Sequence, residues 1–189
     1  MSEPYAARTH DKMREVLMDP DAPGPAVHYH MVRGGPLKSN ITIWEPGQVG
    51  GEYIKAYGHY HVDDLPETYR ILQGEGILLT QLRSGSDGEI SEFKAFKVKA
   101  GDVVDIPLRS GHTLVNTGKT WLVTSDDSPW SPEDSASMPQ HADYEPMKKL
   151  RGMAYYVVEK DGAPALVRNP NYSSAPTAAI EVAESPSNG

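Results

Sequence analysis

The chain has 189 residues, 38% of them hydrophobic and 23% charged, and a net charge of −8; that suffices for one domain with a substantial core. It contains no cysteine, which excludes disulfides and thiolate metal sites, so a metal here would need histidine and carboxylate ligands. The acidic balance, without a Lys/Arg cluster or a long apolar run, argues against nucleic acid and membrane as partners, and with no targeting signal a cytoplasmic location is expected.

In chain order, Met13, Val16 and Leu17 fall at helical spacing and predict a short helix in an N-terminal arm, residues 1–25, closed by the prolines at 20, 23 and 25. The pattern then turns to strands: AVHYHMV (26–32), SNITIW (39–44), YIKAY (53–57), TYRILQG (68–74), GILLTQL (76–82), SEFKAFKV (91–98), DVVDIP (102–107), TLVN (113–116) and TWLVTS (120–125). RSGSDGEI reads as a hairpin loop. So many short strands between closely spaced turns favour an all-β sandwich or barrel. Residues 126–146, with four prolines and several acids, read as a long lid loop. MAYYVVEKDGAPALVR (153–168) follows as a last hairpin turning at Asp161-Gly162, and the Ser/Pro/Ala-rich tail, 173–189, is expected to be flexible.

The tripeptide His-Tyr-His occurs twice, at 28–30 and 59–61. Histidines two apart on a strand share a face, so either pair could hold a metal. The second pair has company: H-x-H-x5-E-x6-G runs through His59, His61, Glu67 and Gly74, and G-x5-P-x4-H-x3-N through Gly101, Pro107, His112 and Asn116. The first pair has no carboxylate at useful spacing. His10 and the tryptophans read as structural.

These two patterns resemble the two motifs of the cupin superfamily, which implies a double-stranded β-helix (jelly-roll) barrel over residues 26–172 with His59, His61, Glu67 and His112 converging on one divalent ion per subunit, Fe, Mn, Ni or Zn. TIWEPGQVG (42–50), YGHYH (57–61), ETY (67–69), GEGILL (74–79), AGDVVDIPLRSGHTLVN (100–116), HADY (141–144) and VEKDGAPALVRNPNY (158–172) resemble, more narrowly, the cupin-type (archaeal-type) glucose-6-phosphate isomerases. That resemblance implies interconversion of glucose 6-phosphate and fructose 6-phosphate, with Glu67 moving a proton through an enediolate and Tyr69 as a proton relay. It also implies substrate contacts at Thr42, the backbone of Gly58, His141 and Tyr144, and at His28, which stands about where the family sends a tyrosine inward. With no basic cluster in the sequence, neutral donors are expected to hold the phosphate. Three positions depart from the family: Ala56 replaces a threonine, Asp126 replaces a tyrosine, and the segment before His141 is longer. An isomerase of another sugar or sugar phosphate, or an iron-dependent cupin dioxygenase, are the alternatives. Small cupins often pair through N-terminal strands, so a homodimer is expected.

Overall fold

The computed structural model describes residues 5–34, 40–131 and 134–182. Ser39 of the expected second strand, 132–133 of the lid and 183–189 of the tail lie outside the described residues. β1 (Tyr5–Thr9), β2 (Val27–Val32), β3 (Asn40–Trp44), β7 (Glu67–Gln73), β10 (Val103–Ile106) and β12 (Leu122–Asp126) form one sheet in the order β1-β2-β3-β12-β7-β10. Against it stand β8 (Glu75–Arg83), β9 (Ile90–Lys99), β11 (Gly111–Asn116) and β16 (Ile180–Val182), ordered β11-β8-β9-β16. A second group holds β4 (Gln48–Val49), β5 (Glu52–Tyr53), β14 (Tyr155–Lys160) and β15 (Ala163–Arg168), ordered β15-β14-β5-β4. β6 (Tyr60–His61) pairs with β13 (Ala142–Asp143), and single bridges Lys55–Val115 and His59–His112 join the segment from β5 to β6 onto β11. The smaller sheets therefore make one interrupted layer facing the six-stranded sheet. This matches the expected all-β barrel of two facing layers.

Period-two alternation fills the space between the layers. Asn40, Thr42 and Trp44 of β3 are buried while Ile41 and Ile43 are half-buried, and Glu67 and Ile71 of β7 are buried while Arg70 and Leu72 are exposed. Met31, Trp44, Ile71, Ile77, Leu79, Leu114 and Leu122 form much of the core, each worth about 1.5–3 kcal/mol on burial. The motif residues build the corners. Gly74 takes φ +82°, and a Cβ there would come within 2.6 Å of the Trp121 carbonyl oxygen, so a side chain is excluded. Asn116 is fully buried and donates from Nδ2 to the carbonyls of Glu45 at 3.0 Å and Thr120 at 2.9 Å, stitching two turns together.

The expected N-terminal helix is α1 (His10–Met13), capped by Thr9 Oγ1, which accepts from the Lys12 N–H at 3.4 Å, and followed by a 3-10 turn at Arg14–Val16 that buries Val16 and Leu17 beside Met13. Ahead of it, β1 pairs with β2, Tyr5 opposite Val32 and Ala7 opposite His30. Hydrophobic periodicity gives no sign of β1 because its one buried residue is Arg8. The lid ends in an unforeseen helix, α2 (Glu145–Leu150), which opens on Pro146 and is stopped by Arg151 in the left-handed region at φ +58°. The last hairpin turns at Asp161 (φ +54°) and Gly162 (φ +81°), as its Asp-Gly sequence requires.

Residues 173–182 of the expected tail run along the sheet edge: Ile90 N–H donates to Ser174 O at 3.0 Å, Tyr155 Oη donates to Pro176 O at 2.7 Å, and β16 pairs parallel to β9 with Ile180 opposite Ala95. Main-chain bonds at an exposed edge hold this stretch, and composition does not register them.

Candidate active site

Residues 54–61 follow β11 without forming one regular strand. Ala56 N–H donates to Leu114 O at 2.8 Å, and His59 and His112 exchange N–H···O bonds of 3.2 and 3.0 Å. Between the bridges Lys55–Val115 and His59–His112, four steps on one strand oppose three on the other, which defines a β-bulge. Gly58 sits in that bulge at φ +79°, where a Cβ would meet His112 O and Thr113 Cβ, each at 3.3 Å. The bulge shifts the alternation by one, and His59 and His61 then face the cavity together. Glu67 opens β7 and His112 is the second residue of β11, both buried.

One ligand atom from each of His59, His61, Glu67 and His112 lies within 4.8 Å of all the others. Glu67 Oε2 is 3.2 Å from His61 Nε2 and 3.1 Å from His112 Nε2. These three atoms and His59 Nε2 are buried, and none has a hydrogen bond of acceptable geometry. Four buried polar atoms without partners, aimed at one point, are costly unless something satisfies them. A divalent ion is the group that three imidazoles and one carboxylate fit. His61 is oriented for that role, because its Nδ1 lies 3.0 Å from Leu65 O, an acceptor to which Nδ1 donates. Burial, reinforced by His112, holds His59 well below the usual histidine range, so it is neutral. Burial pushes the Glu67 carboxyl up, but the His112 and His61 imidazoles outweigh it and hold the group well below the carboxylate range. Both are in their ligating forms.

Thr42, Gly58, Tyr69, His141 and Tyr144 line the same cavity as His59, Glu67 and His112. The lid delivers two of them. β13 pairs Ala142 with His61, which sets the His141 ring 5.7 Å from the His61 ring and the Tyr144 ring 5.3 Å from that of His59. Tyr69, two residues beyond Glu67, packs edge-on to His112 at 5.8 Å. Burial, helped by the Glu67 charge, raises Tyr69 well above the ordinary phenol range; burial raises Tyr144 as well. Burial, then His61, lowers His141. Both tyrosines are thus proton-bearing and His141 is neutral at pH 7.

His28 is a correction. It is fully buried on the opposite face of β2, where its Nε2 lies 2.9 Å from His10 Nδ1 under the N-terminal arm. Its neighbours Tyr29 and Met31, with Arg33 beyond, line the cavity instead. Partners across an antiparallel ladder share a face, and Met31 pairs with Thr42 while Tyr29 pairs with Trp44. Placing Thr42 inside therefore carries Tyr29 and Met31 inside too, a signal readable once the strands are paired. Asp126, opposite both Asn40 and Tyr69, also reaches the cavity.

The family model of glucose-6-phosphate isomerase (GPI) matches residues 25–175. The chain belongs to the glucose-6-phosphate isomerase family. Proteins named glucose-6-phosphate isomerase from Thermococcus gammatolerans and Pyrococcus abyssi are each 32% identical to it, over 144 and 146 residues, covering 75% and 74% of this chain and 67% of theirs. The solved capsular polysaccharide assembling protein CapF from Staphylococcus aureus shares 18% identity at a TM-score of 0.42, covering 61% of this chain and 30% of that one, too distant to inform the site. Membership of the glucose-6-phosphate isomerase family makes the chain an enzyme, and its cavity is where a His/Glu donor set could hold a metal.

Proposed function

We propose that the chain interconverts glucose 6-phosphate and fructose 6-phosphate as a metal-dependent aldose–ketose isomerase with Glu67 as base. The observation that carries this reading is the set of unpartnered, buried atoms of His59, His61, Glu67 and His112 in the cavity of a chain from this family. An Fe, Mn, Ni or Zn ion held there would supply Lewis acidity toward the sugar oxygens. Isomerisation moves one proton between C1 and C2, so a single base must take it from one carbon and return it to the other through an enediolate. Glu67 is suited to this: it is ionised, with Oε2 turned to the imidazoles, and Oε1 is the atom we assign to the proton. Tyr69 keeps its proton and stands two residues along the same strand, where it serves as the hydroxyl relay that assists ring opening. Thr42, the Gly58 N–H, His141 and Tyr144 orient the sugar, and closure of the lid segment excludes water.

Tyr5, Val32, Leu72, Val103 and Trp121 are exposed on or beside the six-stranded sheet, β1 forming its edge, which supports a homodimer through this face. The mechanism is tested by turning over fructose 6-phosphate in D2O. Proton transfer predicts deuterium at C2 of the glucose 6-phosphate formed. Product without any deuterium would count against an exchanging base and favour a hydride shift, and absence of product under nitrogen together with oxygen uptake in air would assign dioxygenase chemistry.

A further inference from the structure

Beyond the ligand cluster, the cavity has a second polar end that the proposed reaction leaves unused. Arg33, just past β2, lines it with a side chain 13% exposed. Its Nη1 lies 3.3 Å from Asp126 Oδ2, and its Nε donates to the lid carbonyl of Ala136 at 3.3 Å. Asp126 is fixed in turn. Its Oδ1 accepts from Asn40 Nδ2 at 2.7 Å, Ser128 Oγ at 2.5 Å and the Ser128 N–H at 3.2 Å, so the carboxylate is saturated and holds Arg33 in one place. Among the described residues, Arg33 Nη2 has no partner.

Behind the tyrosine wall of the same cavity lies Arg8, 3% exposed. Its guanidinium bonds Tyr29 Oη at 3.1 Å and the next lid carbonyl, Ser137 O, at 2.5 Å, and it stacks against the rings of Tyr57 (5.1 Å), Tyr144 (5.8 Å) and Tyr29 (5.9 Å). No carboxylate lies within ion-pair distance of it among the described residues. Arg33 is paired with Asp126, and the other charged group lining the cavity, Glu67, faces the imidazoles of His61 and His112, so Arg8 is a desolvated cation without an ion-pair partner, a place that favours an incoming anion. A neutral sugar hydroxyl would not offset it. A phosphoryl group would, and a guanidinium fork suits its oxygens.

We propose that Arg33, oriented by Asp126, receives the phosphoryl group of the substrate, and that Arg8 supplies the uncompensated charge favouring that anion. The proposal rests on the sugar-phosphate isomerase reading. It replaces the expectation of neutral donors alone and gives Asp126 and the lid carbonyls a role as anchors of Arg33. Both arginines grip adjacent lid residues, so anion binding and lid position are coupled.

Titration calorimetry on the metal-loaded protein would test it, comparing fructose 6-phosphate, fructose and inorganic phosphate against wild type, Arg33→Met and Arg33→Lys. Losing a charge-assisted contact predicts roughly 10- to 100-fold weaker binding of fructose 6-phosphate and of phosphate to Arg33→Met, with fructose binding little altered. Arg33→Lys keeps the charge without the fork and is predicted to fall between the two; it carries the test if Arg33→Met fails to fold. Equal weakening for fructose and fructose 6-phosphate, or no weakening, would overturn the proposal. A wild type that binds fructose 6-phosphate tightly without isomerising it would refute the function while leaving this assignment standing. A wild type that binds fructose equally well would refute this assignment alone.

Discussion

The two His-Tyr-His tripeptides are identical in sequence and opposite in fate. At 59–61 both histidines turn inward and join Glu67 and His112; at 28–30 the middle tyrosine turns inward, while His28 packs against His10 and His30 sits 2.9 Å from the hydroxyl of Tyr5. Strand parity decides the difference. β2 is tied to β3 by regular pairing that puts Tyr29 beside Trp44. Residues 59–61 follow a bulge at Gly58 that offsets the alternation by one. A tripeptide is therefore read by the backbone that presents it, and one glycine upstream is part of the metal motif.

The comparison can be broken at several points. The largest effect is expected at Glu67: Glu67→Gln should lower turnover about a thousandfold while metal analysis shows most of the ion retained, and wild-type turnover would remove the base assignment. Next come the paired histidines. His59→Gln should weaken metal binding about a hundredfold or more, whereas His28→Gln should leave turnover of fructose 6-phosphate within about twofold; equal losses in the two variants would mean that parity does not separate the pairs.

A pH effect sharpens the contrast from the other side. Burial, then the nearby His10 and Lys55, lowers His28 to about 4. At pH 7 it is neutral folded and unfolded and adds no pH dependence. As the pH falls through about 6.5 the unfolded chain takes up a proton that folded His28 refuses, so stability declines toward pH 4, by about 3 kcal/mol at most. Denaturation in urea across pH 7 to 4 should show this slope, flattened in His28→Gln; an unchanged slope would place the acid sensitivity elsewhere. The smallest effect is expected at the bulge. Gly58→Ala places a Cβ at positive φ and should cost about 1–2 kcal/mol, lowering Tm by about 3–6 °C, with weaker metal binding as His59 is re-aimed.

Much of this was legible in the sequence because barrel strands alternate and corner glycines, a proline and an asparagine mark their ends. That His59, His61, Glu67 and His112 come together is legible for the same reason: their spacing is a property of one strand and its neighbours. What was not legible depends on pairing between distant segments. Arg8 and Arg33 are far apart in sequence and isolated among uncharged neighbours, so no basic cluster announced the charge they bring to the cavity. His28 was misplaced by one residue because only the register of β2 on β3 fixes its face. β16 is held by main-chain bonds to β9, and α2 hides in a segment whose prolines suggest a loop.

The most direct test strips the protein of metal and follows fructose 6-phosphate conversion to glucose 6-phosphate before and after adding Mn, Fe, Ni or Zn. No turnover in the stripped protein and recovery with at least one of these ions is the predicted result. Full activity without metal, or none with any ion although the four-residue site has bound it, would contradict the account.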